Sequence, residues 1–344
     1  MTDSEGNITR RDLLRRGAIG VAGIAAATQT LRAAEHKLDP GLPTGAARSA
    51  HDPRNAATQG QVSDASIDPH AFLEQFDYGE VTRRPDGTVV REFHITAVDR
   101  EIEVAPGVYY PAWTYNGQVP GPTLRATEGD LVRVHFRNGG SHAHTIHFHG
   151  IHAGRMDGVF EVVSPGESFL YEFEAQPFGL HLYHCHAIPL KKHIAKGLYG
   201  TFIIDPRTPR PPAREMVMVL NGFDTNFDGS NEIYAVNTVP FAYTQRPIQV
   251  RKGERQRIYL VNILEFDLIN SIHLHGGMFH VYRTGTSIEP HEFTDNLMLC
   301  QGERHILEFT FEHTGRFMFH AHQSEFAELG WMGVLNVVDG SPIA

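Results

Sequence analysis

From about residue 88 the chain alternates between apolar and polar positions. Thr88-Val89-Val90-Arg91-Glu92-Phe93-His94-Ile95 does so, and so does Leu131-Val132-Arg133-Val134-His135-Phe136. A period of two is that of a strand with one face in a core. Asn116-Gly117, Pro120-Gly121-Pro122 and Glu128-Gly129-Asp130 punctuate the pattern as turn signals. Short strands at this spacing predict an all-β sandwich. Between Asp205 and Arg214 four prolines fall within ten residues. Proline's fixed φ and missing N–H make this stretch a separator between two halves.

The second half repeats the first. Gly253-Glu254-Arg255-Gln256-Arg257-Ile258-Tyr259-Leu260 echoes Gly129-Asp130-Leu131-Val132-Arg133-Val134-His135-Phe136. His273-Leu274-His275-Gly276 echoes His147-Phe148-His149-Gly150. Gly315 to His322 (GRFMFHAH) echoes Gly179 to His186 (GLHLYHCH). Three echoes in one order imply a duplicated domain. The expected domains are 69–206 and 207–344.

The N-terminus reads as an address. Thr9-Arg10-Arg11-Asp12-Leu13-Leu14-Arg15 resembles a twin-arginine export motif, followed by an apolar run from Gly17 to Ala27 and alanines at 33 and 34. Residues 1–34 are therefore expected to be a signal peptide, and the protein periplasmic or extracellular. The run is shorter than the ~20 residues a spanning helix needs, so no membrane span is expected. Residues 35–68, rich in Pro, Gly, Ala and Ser without periodicity, read as a flexible leader. His36, His51 and His70, in or beside it, read as surface residues. A net charge of −10 argues against nucleic acid or an anionic membrane as partner.

Two cysteines cannot form a disulfide framework, but 22 histidines point to metal. The stretch His181 to Gly200 (HLYHCHAIPLKKHIAKGLYG) holds Cys185 between His184 and His186, with His193 beyond. Neighbouring strand residues face opposite ways, so Cys185 serves one side while His184 and His186 serve the other. His144 falls three residues before His147 and faces the Cys185 side. His144, Cys185 and His193 form a thiolate–imidazole set suited to blue copper. Leu198 sits where a weak axial ligand is expected; it cannot coordinate, and its presence predicts a raised potential. On the other face stand His147, His149, His184 and His186, matched by His273, His275, His320 and His322. Eight imidazoles exceed the four ligands of a structural zinc site and suit a cluster of three coppers.

These four His-x-His pairs and the His-Cys-His run resemble a two-domain multicopper oxidase of the laccase type, over roughly residues 90–340. The resemblance implies two tandem cupredoxin-like Greek-key β-sandwich domains and four coppers per chain. Type 1 copper would lie at His144, Cys185 and His193, and type 2 at His147 and His273. Type 3 would take His149, His184, His186, His275, His320 and His322. It further implies that O2 and a small reductant are the substrates, and that the halves meet between subunits in a head-to-tail homotrimer. In the second domain Ala321 replaces Cys185 and Asn270 replaces His144, so type 1 copper is expected in the first domain only. His193 to Gly200 and Glu328-Leu329-Gly330 also resemble copper nitrite reductase, which however carries an axial methionine and lacks all four His-x-His pairs. Nitrite reduction, and non-catalytic copper or electron carriage, are the alternatives.

Asp157, in Arg155-Met156-Asp157-Gly158, matches a family aspartate near type 2 copper that orients water and relays protons; taken alone, Asp-Gly is a turn. Glu325 is a second relay candidate. The edge of His193 is expected to face solvent and receive electrons. Lys191, Lys192 and Lys196 form either a docking rim or a solvated loop. Met156, Met278, Met298, Met318 and Met332, scattered rather than clustered, read as core, as does Trp331. Cys300 reads as a small buried apolar residue. The reductant itself is not legible: phenols, aromatic amines, metal ions and nitrogen compounds all remain open.

Overall fold

The computed structural model describes residues 67–340. The export motif, and residues 35–66 of the leader, lie outside these. The described chain forms two cupredoxin-like β-sandwiches, each built from two sheets. In the first, strands Val89–Ala105 and Leu131–Asn138 run parallel in a five-stranded sheet; it faces a four-stranded sheet in which Leu124–Thr127 pairs in parallel with Tyr199–Asp205. The second repeats this: Arg214–Phe223 runs parallel to Gln256–Asn262, and Ile248–Arg251 to Met332–Val338. The repeat extends to register, for His147 lies opposite His184 just as His273 lies opposite His320. Alternation holds where one face meets the core: in Leu131–Asn138 every second residue (Val132, Val134, Phe136, Asn138) is buried.

The two repeats differ in what covers them. Strand Gly179–His184 is buried along its whole length, because Leu180 and Leu182 pack with Val217, Val219 and Ile306 of the second domain in a shared core. Its counterpart Gly315–His320 exposes Arg316 and Met318. In the same sheet, beyond Ile269–Leu274, the edge strand Asn296–Cys300 buries Leu297 and Leu299 but turns Met298 and Cys300 outward, 65% of Met298 being exposed. This corrects the sequence reading of both residue types. Cys300 is exposed, and Met278, Met298 and Met318 lie on the surface, while Met156 and Met332 are half-buried. Strand alternation, not residue type, decides which side chain reaches the core. Trp331 is core as expected.

A buried ion network joins the halves. Arg125 pairs with Asp205 at 2.8 Å and with Glu215 at 2.6 Å, and Glu215 pairs in turn with Arg257 at 2.9 Å. Burial pushes the Glu215 carboxyl up, but the hydrogen bonds and charge of Arg125, with Tyr259 and Arg257, outweigh it and hold its pKa at about 2. A depressed carboxyl contributes stability that is complete above its unfolded value of 4.5 and is lost as pH falls from there through about 2. Arg125→Leu strips Asp205 of its arginine and leaves Glu215 only Arg257 of its two, and is expected to cost about 3 kcal/mol. Denaturant titration at pH 7 and pH 3 checks this: the variant loses most at pH 7, where wild type gains from the pair.

Candidate metal centres

Three buried side chains converge between the sheets of the first domain. His144 is held by a two-bond bridge to Val163, Cys185 follows strand Gly179–His184, and His193 sits in the short helix Leu190–Ala195. Cys185 Sγ lies 3.1 Å from His193 Nδ1 and 3.9 Å from His144 Nδ1, and the two Nδ1 atoms are 3.2 Å apart. The Thr145 N–H donates to Sγ at 3.3 Å. Burial, then the neighbouring His193 and His142, drives His144 down to about 3; burial, then His142 and Lys192, drives His193 down to about 4. Both are thus neutral imidazoles, the state that ligates metal. Burial raises the Cys185 thiol, so a thiolate there calls for a cation. A buried thiol facing two neutral nitrogens fits copper.

Leu198 is fully buried, and its carbonyl accepts the Cys185 N–H at 3.0 Å. In the second domain Trp331 takes that place, its carbonyl accepting the Ala321 N–H at 3.2 Å. The Trp331 indole donates to Asn270 at 3.0 Å, so an aromatic ring and an amide fill the space that three donors line in the first domain. Leu198→Met adds a sulfur donor and is expected to lower the potential of a copper held there; redox titration of the blue band reads the shift.

On the opposite side, His147 Nδ1 donates to the Asp157 carbonyl at 2.7 Å and His184 Nδ1 to the Cys185 carbonyl at 3.0 Å. Those bonds leave each Nε2 lone pair free, and His149 Nε2 lies 3.2 Å from His184 Nε2. The second domain copies this atom for atom. His273 Nδ1 donates to the Asp295 carbonyl at 3.0 Å, His320 Nδ1 to the Ala321 carbonyl at 2.6 Å, and His275 Nε2 lies 3.0 Å from His320 Nε2. Backbone carbonyls that fix ring tautomers are the usual outer shell of metal sites, so this donor set fits copper too. His186 and His322 stand beside the two triads, with ring centroids 5.4 Å from His147 and 5.5 Å from His273. Their backbone N–H groups are held alike, by Thr145 Oγ1 at 2.9 Å and Ser271 Oγ at 2.8 Å. Each triad gathers within its own domain, and His275 and His322 are exposed.

Asp157 has a place beyond its turn. Its Oδ1 lies 3.2 Å from His147 Nδ1 and 3.8 Å from His152 Nε2. Gly158, at φ +72, makes this approach possible, since a Cβ there would fall 1.8 Å from the Ile146 carbonyl oxygen. The sequence reading missed the counterpart, Asp295, whose Oδ2 lies 3.7 Å from His273 Nδ1. It follows its histidine by 22 residues instead of 10, so no echo marks it. Glu325 is exposed in the short helix Ser324–Glu328.

His193 departs from expectation, for it is buried, with only 3% of the residue exposed. Trp113 lies against it, with ring centroids 4.8 Å apart. The three lysines are not simply solvated: Lys191 lies over Phe266 at 4.3 Å, Lys192 over Trp113 at 5.3 Å, and Lys196 over Tyr110 at 4.8 Å and Phe227 at 4.3 Å. Such cation–π contacts fix the rim with aromatic rings from both domains. Among the described residues no helix is long and apolar enough to cross a membrane.

The chain is similar to known proteins. A multicopper oxidase of known structure is 54% identical and superposes with a TM-score of 0.78, covering 80% of this chain and 98% of that one. A blue copper oxidase from Nitrosomonas europaea is 28% identical, with a TM-score of 0.64 over 72% of this chain and 86% of its own. A copper-containing nitrite reductase from Neisseria meningitidis is 27% identical over 249 residues, 65% of this chain; the chain spans 63% of that relative's length. Residues 97–209 and 209–341 match the multicopper oxidase family, one stretch for each cupredoxin domain. With its histidine triads doubled and the Cys185 thiol set beside two imidazoles, this chain belongs to the multicopper oxidases, the family to which copper nitrite reductases are related.

Proposed function

We propose that this chain is an exported, laccase-like oxidase that takes electrons one at a time from a reductant and reduces O2 to water. The observation that carries the reading is the doubled histidine triad. Each half keeps Nε2 lone pairs free in matched geometry, and one half lies on an uncovered face. Two such halves are a reason for a second copy to close on the first. A head-to-tail homotrimer satisfies that demand with cyclic symmetry.

When bound, four coppers per chain would supply the one-electron acceptor and the O2-reducing centre. His144, Cys185 and His193 would hold the type 1 ion, His147 and His273 the type 2 ion. His149, His184, His186, His275, His320 and His322 would hold the type 3 pair. The rest is the work of the polypeptide. Cys185 is covalently joined to His184 and His186, so the backbone itself links the two sides. Asp157 keeps His147 oriented through its carbonyl, and its carboxylate, between His147 and His152, holds a proton-accepting oxygen where protons are consumed. Leu198 and its apolar surroundings keep water from the thiolate side.

Nitrite reduction is the second reading, favoured by the match to the Neisseria enzyme. Paired electrodes for O2 and nitrite separate the two on copper-loaded protein with a generic phenol. The oxidase reading expects O2 uptake and no nitrite loss; nitrite turnover without O2 uptake contradicts it.

A further inference from the structure

We propose that electrons reach the Cys185 site through a ladder of rings, His142 over Trp113, and not at a bare edge of His193. The inference rests on the reading of Cys185, His144 and His193 as the type 1 ligands. His193 is 3% exposed and His144 1%, so an external reductant finds almost none of either residue to touch. His142 is exposed, and its ring centroid lies 4.5 Å from that of Trp113. Trp113 in turn contacts both candidate ligands, at 4.8 Å from His193 and 5.4 Å from His144, edge to face. Among the described residues no other aromatic side chain lies against both. Continuous van der Waals contact therefore runs from solvent to two of the three donors.

The ladder is braced. Ser141 Oγ bonds His142 Nδ1 at 2.8 Å, and the Ser141 N–H donates to Asp99 at 3.1 Å. The Trp113 N–H donates to the Lys196 carbonyl at 2.8 Å, and the Lys192 ammonium lies over the indole. Exposed His142 and Lys192, each against the Trp113 indole, offer a π face and a positive charge, which suits an electron-rich aromatic donor. Each transfer would take one electron from the donor and deliver it to the cupric ion that His144, Cys185 and His193 would hold. No bond to the protein forms or breaks, and any proton the oxidised donor sheds passes to solvent. Trp113 bridges without itself being oxidised.

Anaerobic stopped-flow bleaching of the blue band by dimethoxyphenol tests this in wild type, Trp113→Leu and His142→Ala, each with its reduction potential measured. Both variants are expected to keep the blue band and the potential, and to bleach roughly tenfold more slowly, through loss of an aromatic contact and a wider gap. In copper-free protein, redox-inert dimethoxybenzene is expected to shift the His142 ring resonances, which are identified by their absence in His142→Ala. Unchanged or faster bleaching overturns the inference, since the rings are then a wall. Slower bleaching that merely follows a shifted potential overturns it as well. A copper-loaded wild type with no blue band removes the parent reading instead.

Discussion

Replacing Cys185 with serine is expected to abolish the blue absorption and to lower oxidase turnover by about three orders of magnitude or more, because the site acts as a unit. The side chain is fully buried and serves no contact that a hydroxyl cannot make; the Thr145 N–H can donate to an oxygen as it does to Sγ. The fold should therefore survive, which circular dichroism checks. What serine cannot supply is a soft, polarisable anion between two neutral imidazoles. Its alcohol stays protonated, and the thiolate–copper bond that gives the colour is gone. A variant that stays blue would show that Cys185 is not the ligand. One that loses colour but oxidises phenol at the wild-type rate would remove it from the electron path.

His320→Ala is the converse experiment, with the colour kept and O2 reduction lost. His320 lies in the second domain, opposite His273 in register and with its Nε2 3.0 Å from that of His275. It makes no contribution to the Cys185 set. Its loss should leave the blue band and its bleaching by phenol intact. O2 uptake should fall by more than the roughly 10–100-fold that loss of an outer-shell partner costs. Anaerobic bleaching followed by admission of air reads both halves at once: the blue band bleaches normally and fails to return. Prompt return of colour would mean the second-domain triad takes no part in O2 chemistry.

Much of this was legible in the chain because it is written twice. His147 and His273 lie on matching strands, His147–Phe148 and Ile269–Leu274, with His149 and His275 each one residue past the end. Strand alternation alone put Cys185 on one side and His184 on the other, as the hydrogen bonds of His184 Nδ1 and Cys185 Sγ bear out. What depends on distant strands was not legible. Trp113 and His142 belong to no motif; they meet because the strand Val108–Tyr115 passes under the loop before His144. The same packing buries His193, which the loop sequence suggested would be open. Asp295 reaches His273 from the bend between strands Glu292–Thr294 and Asn296–Cys300, at a spacing with no counterpart in the first repeat. Cys300 and Met298 were misread because the edge strand's phase, set by its pairing with Ile269–Leu274, turns them outward.

If two half-sites on one chain are completed by a neighbouring copy, chain number and copper content are linked. Native mass spectrometry of fully copper-loaded protein measures both together, the number of chains in the particle and the coppers per chain. Three chains with four coppers each are expected, falling to the type 1 copper alone when the particle is dissociated into monomers. A monomer that holds all four coppers, or a trimer with only two per chain, would contradict that completion.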